Sequence, residues 1–321
     1  MLDPQAKVFL DTLKGRPSNS TLTVEENRAK NKELRKLAGP TESVAEVRDY
    51  MIPVEGGEIG LRIYKPEGEG LFPIFIYIHG GGWVLGDLET VDVPCRNIVN
   101  KANCIVVSVD YRLAPEHKFP TPLMDCYAAA KWVFEHAHEL NGDSEKIAVG
   151  GDSAGGNLAA AVTMMARKSG EFNFVSQVLI YPVVDFSFNT DSYEENGKDY
   201  FLTYESMVWF SQAYLEKETD KGNIYAAPLL AEDLTKLPPA LVITAEYDPL
   251  RDEGLAYAER LKSAGVPVTS TCYKGMIHGF FWMSGILEQG KEAVNEVATY
   301  LANNFNKLNV SEKRGLHDQY N

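Results

Sequence analysis

Six short apolar runs, bounded by Gly, Pro or Asn and interleaved with helix-period stretches, limit what this chain can fold into. They span residues 73–78, 104–109, 147–150, 177–181, 241–245 and 268–273. Several are apolar at nearly every position, a pattern suited to strands buried on both faces. Helical periodicity runs through 123–140, 157–168, 253–264 and 288–304. Strand alternating with helix predicts an α/β chain with a mostly parallel central sheet and helices on both faces. An earlier pair of runs, 44–52 and 58–64, is joined by Gly56-Gly57 and predicts an antiparallel hairpin at one edge.

Two segments break the alternation. Residues 1–42 hold two helical patterns, divided by Gly15-Arg16-Pro17 and ended by Gly39-Pro40. Residues 186–222 begin irregular and polar, then carry an aromatic-rich helical stretch at 204–215. Neither has enough apolar residues to fold alone. Both are expected to form one helical cap over a body made of 43–185 and 223–310, with 311–321 as a polar tail. The 321-residue chain is 45% apolar and 24% charged, which excludes a disordered or fibrous chain. Its net charge of -14 leaves no basic footprint for nucleic acid. No apolar run approaches the roughly 18 residues of a membrane span, so no membrane insertion is expected. The four cysteines, Cys95, Cys104, Cys126 and Cys272, are irregularly spaced. That spacing predicts neither a metal site nor a disulfide framework, but free thiols in a reducing compartment, and hence a cytoplasmic protein.

Chemistry concentrates at the ends of the predicted strands. Gly151-Asp152-Ser153-Ala154-Gly155 stands between a strand and a helix. A Ser between two glycines at such a turn is held in a strained conformation with its hydroxyl presented at the sheet's end. The same pattern also occurs in phosphate-binding turns and tight connections, so the flanking elements carry the inference. His79-Gly80-Gly81-Gly82-Trp83 follows the 73–78 strand. Consecutive glycines leave peptide N–H groups unshielded, able to converge on a developing oxyanion. No Lys-Ser or Lys-Thr pair follows, as a phosphate loop would require. Of the six histidines, His136 and His138 are two apart and diverge on a helix, His117 lies in a Pro-rich loop and His317 in the tail. His278 combines a post-strand loop with a position after both Ser153 and an acid. Asp248, after the 241–245 strand, is the acid favoured by the order Ser, Asp, His. Glu246, Asp252, Glu253 and Asp185 remain competitors.

These pieces carry a resemblance. His79–Trp83, Tyr111-Arg112-Leu113-Ala114-Pro115-Glu116, Gly151 through Asn157, Asp248 through Gly254 and His278-Gly279-Phe280 occur in one order. In this respect the chain resembles the hormone-sensitive-lipase family (bacterial family IV esterases) of the α/β-hydrolase superfamily, from Leu2-Asp3-Pro4 to about residue 305. The resemblance implies the α/β-hydrolase fold with a cap, hydrolysis of carboxylic esters, and no metal or organic cofactor. It implies a triad of Ser153, Asp248 and His278, with the N–H groups of Gly81, Gly82 and Ala154 as oxyanion donors. His79 and Gly80 would then shape the loop, and Tyr111–Glu116 would buttress it. The chain departs from the family at Lys274, where Pro often stands, and at Phe281-Trp282, which add bulk after His278.

The cap aromatics Tyr200, Phe201, Tyr204, Trp209 and Phe210, with Trp83, Phe280 and Phe281, are expected to wall an apolar pocket. A small ester of short to medium chain is the expected substrate, and a homodimer is compatible with the sequence. Two other readings use the same residues: an amidase or formamidase with this triad, and a catalytically silent binding protein.

Overall fold

One sheet organises the chain, in a computed structural model that describes the backbone of residues 1–317 and the side chains of residues 1–307. Its strands are β1 (Glu46–Val54), β2 (Gly57–Lys65), β3 (Phe72–Ile78), β4 (Ile105–Asp110), β5 (Gly142–Asp152), β6 (Ser176–Ile180), β7 (Ala240–Tyr247) and β8 (Val268–Ile277). They lie side by side in the order β1-β2-β4-β3-β5-β6-β7-β8. β2 is antiparallel to both of its neighbours, and the remaining pairs are parallel. The predicted edge hairpin is therefore β1–β2, turning at Gly56, whose φ is +77°.

The helices are α1 (Pro4–Asp11), α2 (Val24–Leu34), α3 (Asp92–Ala102), α4 (Thr121–His136), α5 (Ala154–Ser169), α6 (Asp191–Asn196), α7 (Tyr204–Tyr214), α8 (Arg251–Ser263) and α9 (Glu288–His317). Side chains alternate across each strand, so one strand serves two cores. Ile74, Ile76 and Ile78 face the layer of α4, α5 and α8, where Val133, Leu158 and Leu261 are buried. Phe75 and Tyr77 face the layer of α3 and α9, with Ile98, Val297 and Leu301. This two-sided burial explains why the sheet's runs lack polar alternation.

The sequence reading missed α3. Its buried face comprises Val93, Cys95, Ile98, Val99 and Ala102, at helical spacing, and Asn103 ends it in the left-handed region. α9 extends to His317 and so takes in residues 311–317 of the expected tail. Residues 318–321 of that tail lie outside the described residues. Both segments expected to form the cap lie at the same end of the sheet, where α1, α2 and α7 roof a cavity.

Candidate active site

The parallel strands point their C-terminal ends at that cavity, and each chemical group stands just past one of them. β5 ends at Asp152, and α5 starts at Ala154. Ser153 makes the whole turn between them, with φ +57° and ψ -118°. A Cβ on Gly151 would stand 2.2 Å from the Ile78 carbonyl oxygen, and one on Gly155 only 1.9 Å from it. Only glycine admits this approach of strand and helix. The Ser153 N–H donates to the Ile180 carbonyl at 2.8 Å, tying the turn to β6.

His278 follows β8, and Asp248 follows β7. The imidazole lies between the two other groups. Its Nε2 is 2.9 Å from Ser153 Oγ, and its Nδ1 is 2.7 Å from Asp248 Oδ2. The network assigns the proton to Nδ1, donated to the carboxylate, and leaves Nε2 to accept from the hydroxyl. Asp248 Oδ1 accepts the Leu250 N–H at 2.9 Å, which fixes the carboxylate's rotation. Asp248 is fully buried, and Ser153 and His278 are 7% and 6% exposed, enough to reach a ligand in the cavity. The Tyr181 ring packs on the imidazole, 4.5 Å between centroids.

The competing acids are occupied elsewhere. Glu246 accepts the Gly275 N–H at 2.7 Å. Asp252 binds Arg251 and the Ser192 N–H, both at 2.8 Å. Asp185 caps its own turn, accepting from Phe186 N–H. Glu253 accepts the Val184 N–H at 2.8 Å, and burial holds its carboxyl well above the usual carboxylate range.

The glycine loop faces Ser153 across the cavity floor, where Gly81 and Gly82 line the space. Among the described residues no protein acceptor takes the N–H groups of Gly81, Gly82 or Ala154. His79 Nδ1 donates to the Gly80 carbonyl at 2.7 Å. In a trans peptide the N–H points opposite the C=O, so this bond aims the Gly81 N–H the other way. The His79 ring stacks on Tyr111 at 4.4 Å, and the Tyr111 hydroxyl donates to the His79 carbonyl at 2.9 Å. The Ala114 N–H donates to the Trp83 carbonyl at 2.9 Å. The Tyr111–Glu116 segment thus braces the loop from behind.

Sequence reasoning passed over Asp152. Its Oδ1 accepts the Tyr77 hydroxyl at 2.9 Å and the Gly80 N–H at 3.0 Å, joining the serine turn to the glycine loop. Burial raises its pKa, while Tyr77, His79 and Gly80 oppose that rise. A charged residue wedged into an otherwise apolar strand end was the available signal.

The cavity encloses about 860 Å³. Of the aromatics proposed as site residues, Phe201 lines it, and so do Tyr204 and Phe210 from the wider cap set. The others are corrected by their packing. Trp83 is fully buried, stacked on Tyr214 at 4.2 Å. Tyr200 packs on Tyr247 and Trp209 edge-on to Phe210. Phe280 is buried against Tyr273, and Phe281 against Tyr77. Leu10, Leu13, Leu34, Met207 and Trp282 supply the apolar wall instead. His136 stacks on Trp132, and among the described residues no cluster of three or more His, Cys, Asp or Glu could hold a metal.

A sheet of this order, with Ser past β5, Asp past β7 and His past β8, defines an α/β-hydrolase equipped with a serine triad. A family model described as alpha/beta hydrolase fold matches residues 75–282, and the chain belongs to that family, in its hormone-sensitive-lipase-like branch. It is 42% identical over 282 residues to an arylesterase of Saccharolobus solfataricus, spanning 87% of this chain and 92% of the relative. It is 39% identical over 301 residues to the carboxylesterase NlhH of Mycobacterium tuberculosis, spanning 91% and 92%. Among solved structures, it is similar to an ester-hydrolase from the metagenome of Lake Arreo, with a TM-score of 0.92 and 44% identity over 95% of this chain and 100% of that one. A hyperthermophilic esterase from the archaeon Pyrobaculum calidifontis gives a TM-score of 0.91 and 45% identity over 94% and 98%.

Proposed function

We propose that this carboxylic ester hydrolase acts on short- to medium-chain esters through an acyl-enzyme formed on Ser153. The observation that carries the reading is the unbroken relay from Ser153 Oγ to His278 to Asp248, at 2.9 and 2.7 Å, beside three N–H groups without a protein acceptor. His278 Nε2 takes the hydroxyl proton as Ser153 attacks the ester carbonyl. Asp248 stabilises the imidazolium that forms. Gly81, Gly82 and Ala154 donate to the oxyanion of the tetrahedral intermediate. The alcohol leaves with the proton from His278. A water, activated by the same imidazole, then releases the acid and restores the serine.

The chain-length reading rests on the cavity. A space of about 860 Å³, walled by Leu10, Leu13, Phe201, Met207 and Trp282, suits a modest apolar acyl group. Residues 1–42 and 186–222 act as the cap that encloses it. Free thiols at all four cysteines favour a reducing compartment, the cytoplasm. No helix among the described residues is long and apolar enough to cross a membrane. A homodimer belongs to the same reading, because the outer edges of β1 and β8 could each accept a strand from a second copy.

The test is hydrolysis of p-nitrophenyl butyrate before and after one equivalent of an organophosphonate, with the adduct located by mass spectrometry. Turnover should stop as one adduct forms on Ser153. Full turnover with Ser153 unmodified would overturn the nucleophile. Across p-nitrophenyl esters, a rate falling steadily from longer to shorter acyl chains would overturn the chain-length reading.

A further inference from the structure

Because a trans peptide sets N–H opposite C=O, whatever holds the Gly81 carbonyl also aims the Gly82 N–H. That carbonyl accepts from Val84 N–H at 3.2 Å and Leu85 N–H at 2.8 Å. The tight turn that delivers these donors is itself gripped from the cap. Arg28, on α2, donates from Nε to the Val84 carbonyl at 3.0 Å and from Nη2 to the Ala114 carbonyl at 3.0 Å. Its two Nη atoms also bind the Glu116 carboxylate, each at 2.7 Å. Ala114 in turn holds the Trp83 carbonyl. One guanidinium therefore clamps both the turn after the glycines and the segment that braces it. Arg35, seven residues on, adds an ion pair to Asp87 of the same loop.

We propose that Arg28 is a positioning residue of the oxyanion hole. It holds the Val84 turn so that the Gly81 carbonyl stays bonded and the Gly82 N–H stays aimed at the ester oxygen. The proposal rests on the reading of Gly81 and Gly82 as oxyanion donors. Arg28 touches no reacting atom. It does not line the catalytic cavity but a second one of about 410 Å³, and Gly86 lies in the wall of both. Its loss should therefore spare ground-state binding and weaken the transition state. The role needs the planar five-donor fork of arginine, which lysine's single ammonium cannot reproduce across three acceptors. Misaiming a donor by about 1 Å is enough to cost on the order of 10²-fold in rate.

The experiment compares Arg28→Ala and Arg28→Lys with the parent on p-nitrophenyl butyrate. It also measures inhibition by an alkyl trifluoromethyl ketone, whose serine adduct places an oxyanion in the hole. kcat should fall roughly 10–100-fold with KM within about threefold. The ketone's Ki should rise in the same proportion as kcat/KM falls, because both report on oxyanion binding. Arg167→Ala serves as the stability control. That arginine likewise bonds loop carbonyls, those of Thr235 and Asp233, but from the last turn of α5, at the opposite end of the helix from Ser153. Its kcat should stay within about twofold of the parent. A structural staple alone would lower the melting temperature of the Arg28 variants and leave the ketone's Ki unchanged, which overturns the proposal. So does kcat within threefold of the parent, or a loss confined to KM. If Arg28→Ala fails to fold, Arg28→Lys is judged on the same criteria. A parent enzyme that the ketone does not inhibit overturns the oxyanion reading itself, whereas an inhibited parent with unaffected Arg28 variants overturns only the role of Arg28.

Discussion

The two glycine turns at the cavity floor are built by opposite means. Around Ser153 the constraint is backbone against backbone: Gly151 and Gly155 both lie against the Ile78 carbonyl. In the loop after β3 the constraint comes mainly from side chains far away in the chain. A Cβ on Gly80 would meet the Asp152 carboxylate at 2.5 Å, and one on Gly82 the Phe210 ring at 2.2 Å. Trp83 stacks on Tyr214, and Val84 is bonded by Arg28. Backbone contributes at two positions, Gly81 facing the Leu85 carbonyl and Gly80 the Asp152 carbonyl as well. A backbone constraint cannot be relieved by any substitution nearby. A side-chain constraint can be loosened, compensated or retuned.

Five substitutions break or sharpen that contrast. Ser153→Ala leaves both turns in place and should lower kcat by roughly 10⁴–10⁶. Whatever hydrolysis remains measures what the glycine loop and substrate binding supply without a nucleophile. Steady-state kinetics on a purified variant with parental melting behaviour would check it.

Gly155→Ala attacks the backbone-built turn. With no side chain able to yield, it should cost about 3 kcal/mol or more and leave little folded enzyme. A variant melting within a few degrees of the parent would show that the turn can relax after all.

Gly82→Ala attacks the other turn. Its φ is +59°, so a Cβ costs about 1–2 kcal/mol in backbone strain, and the Phe210 ring must also move. The matching test is Phe210→Ala in the same chain. The double variant should recover about 1 kcal/mol relative to additivity, measured by denaturant unfolding. Strict additivity would mean that the ring does not constrain the loop.

The smallest effect concerns a more remote support of the serine turn. Val183 N–H donates to the Ser153 carbonyl, and the next residue is held by buried Glu253. The unfolded chain ionises Glu253 near its ordinary value of 4.5, whereas the folded chain keeps the proton to higher pH. Between those limits the folded state binds more protons, so this group's contribution makes stability fall as pH rises. Glu253→Gln keeps an acceptor for Val184 N–H and cannot ionise. Its melting temperature relative to the parent should rise from pH 4 to pH 7, with kcat within about twofold. A difference independent of pH would contradict the buried-acid account.

The same contrast explains what was readable in the sequence. Ser153, His278 and Asp248 could be placed because each follows a strand whose own residues announce it. The alternation of apolar runs also foretold most of the sheet, including its edge hairpin. The cavity walls could not be placed this way. α7 carries Met207, Val208, Trp209 and Phe210 in succession, so its composition does not say which face turns inward. Packing decides: Met207 and Phe210 line the cavity, while Trp209 does not. Trp83, expected among the wall aromatics, has a φ of +61° and stacks on Tyr214 instead. Arg28 was invisible for a related reason. Its acceptors, Val84, Ala114 and Glu116, are adjacent only once the chain has folded.

That arrangement bears on the order in which the protein can be assembled during synthesis. Arg28 emerges 88 residues before Glu116, the last of its acceptors. At about 5–20 residues per second, the ribosome needs roughly 4–18 s to supply that partner. α1 waits longer still, since Asp3 N–H bonds the Gly275 carbonyl. A nascent segment left alone so long must avoid sticking to itself or its neighbours. The sequence of α2, Val-Glu-Glu-Asn-Arg-Ala-Lys-Asn-Lys-Glu-Leu, is suited to the delay, because it stays hydrated until the rest of the enzyme arrives.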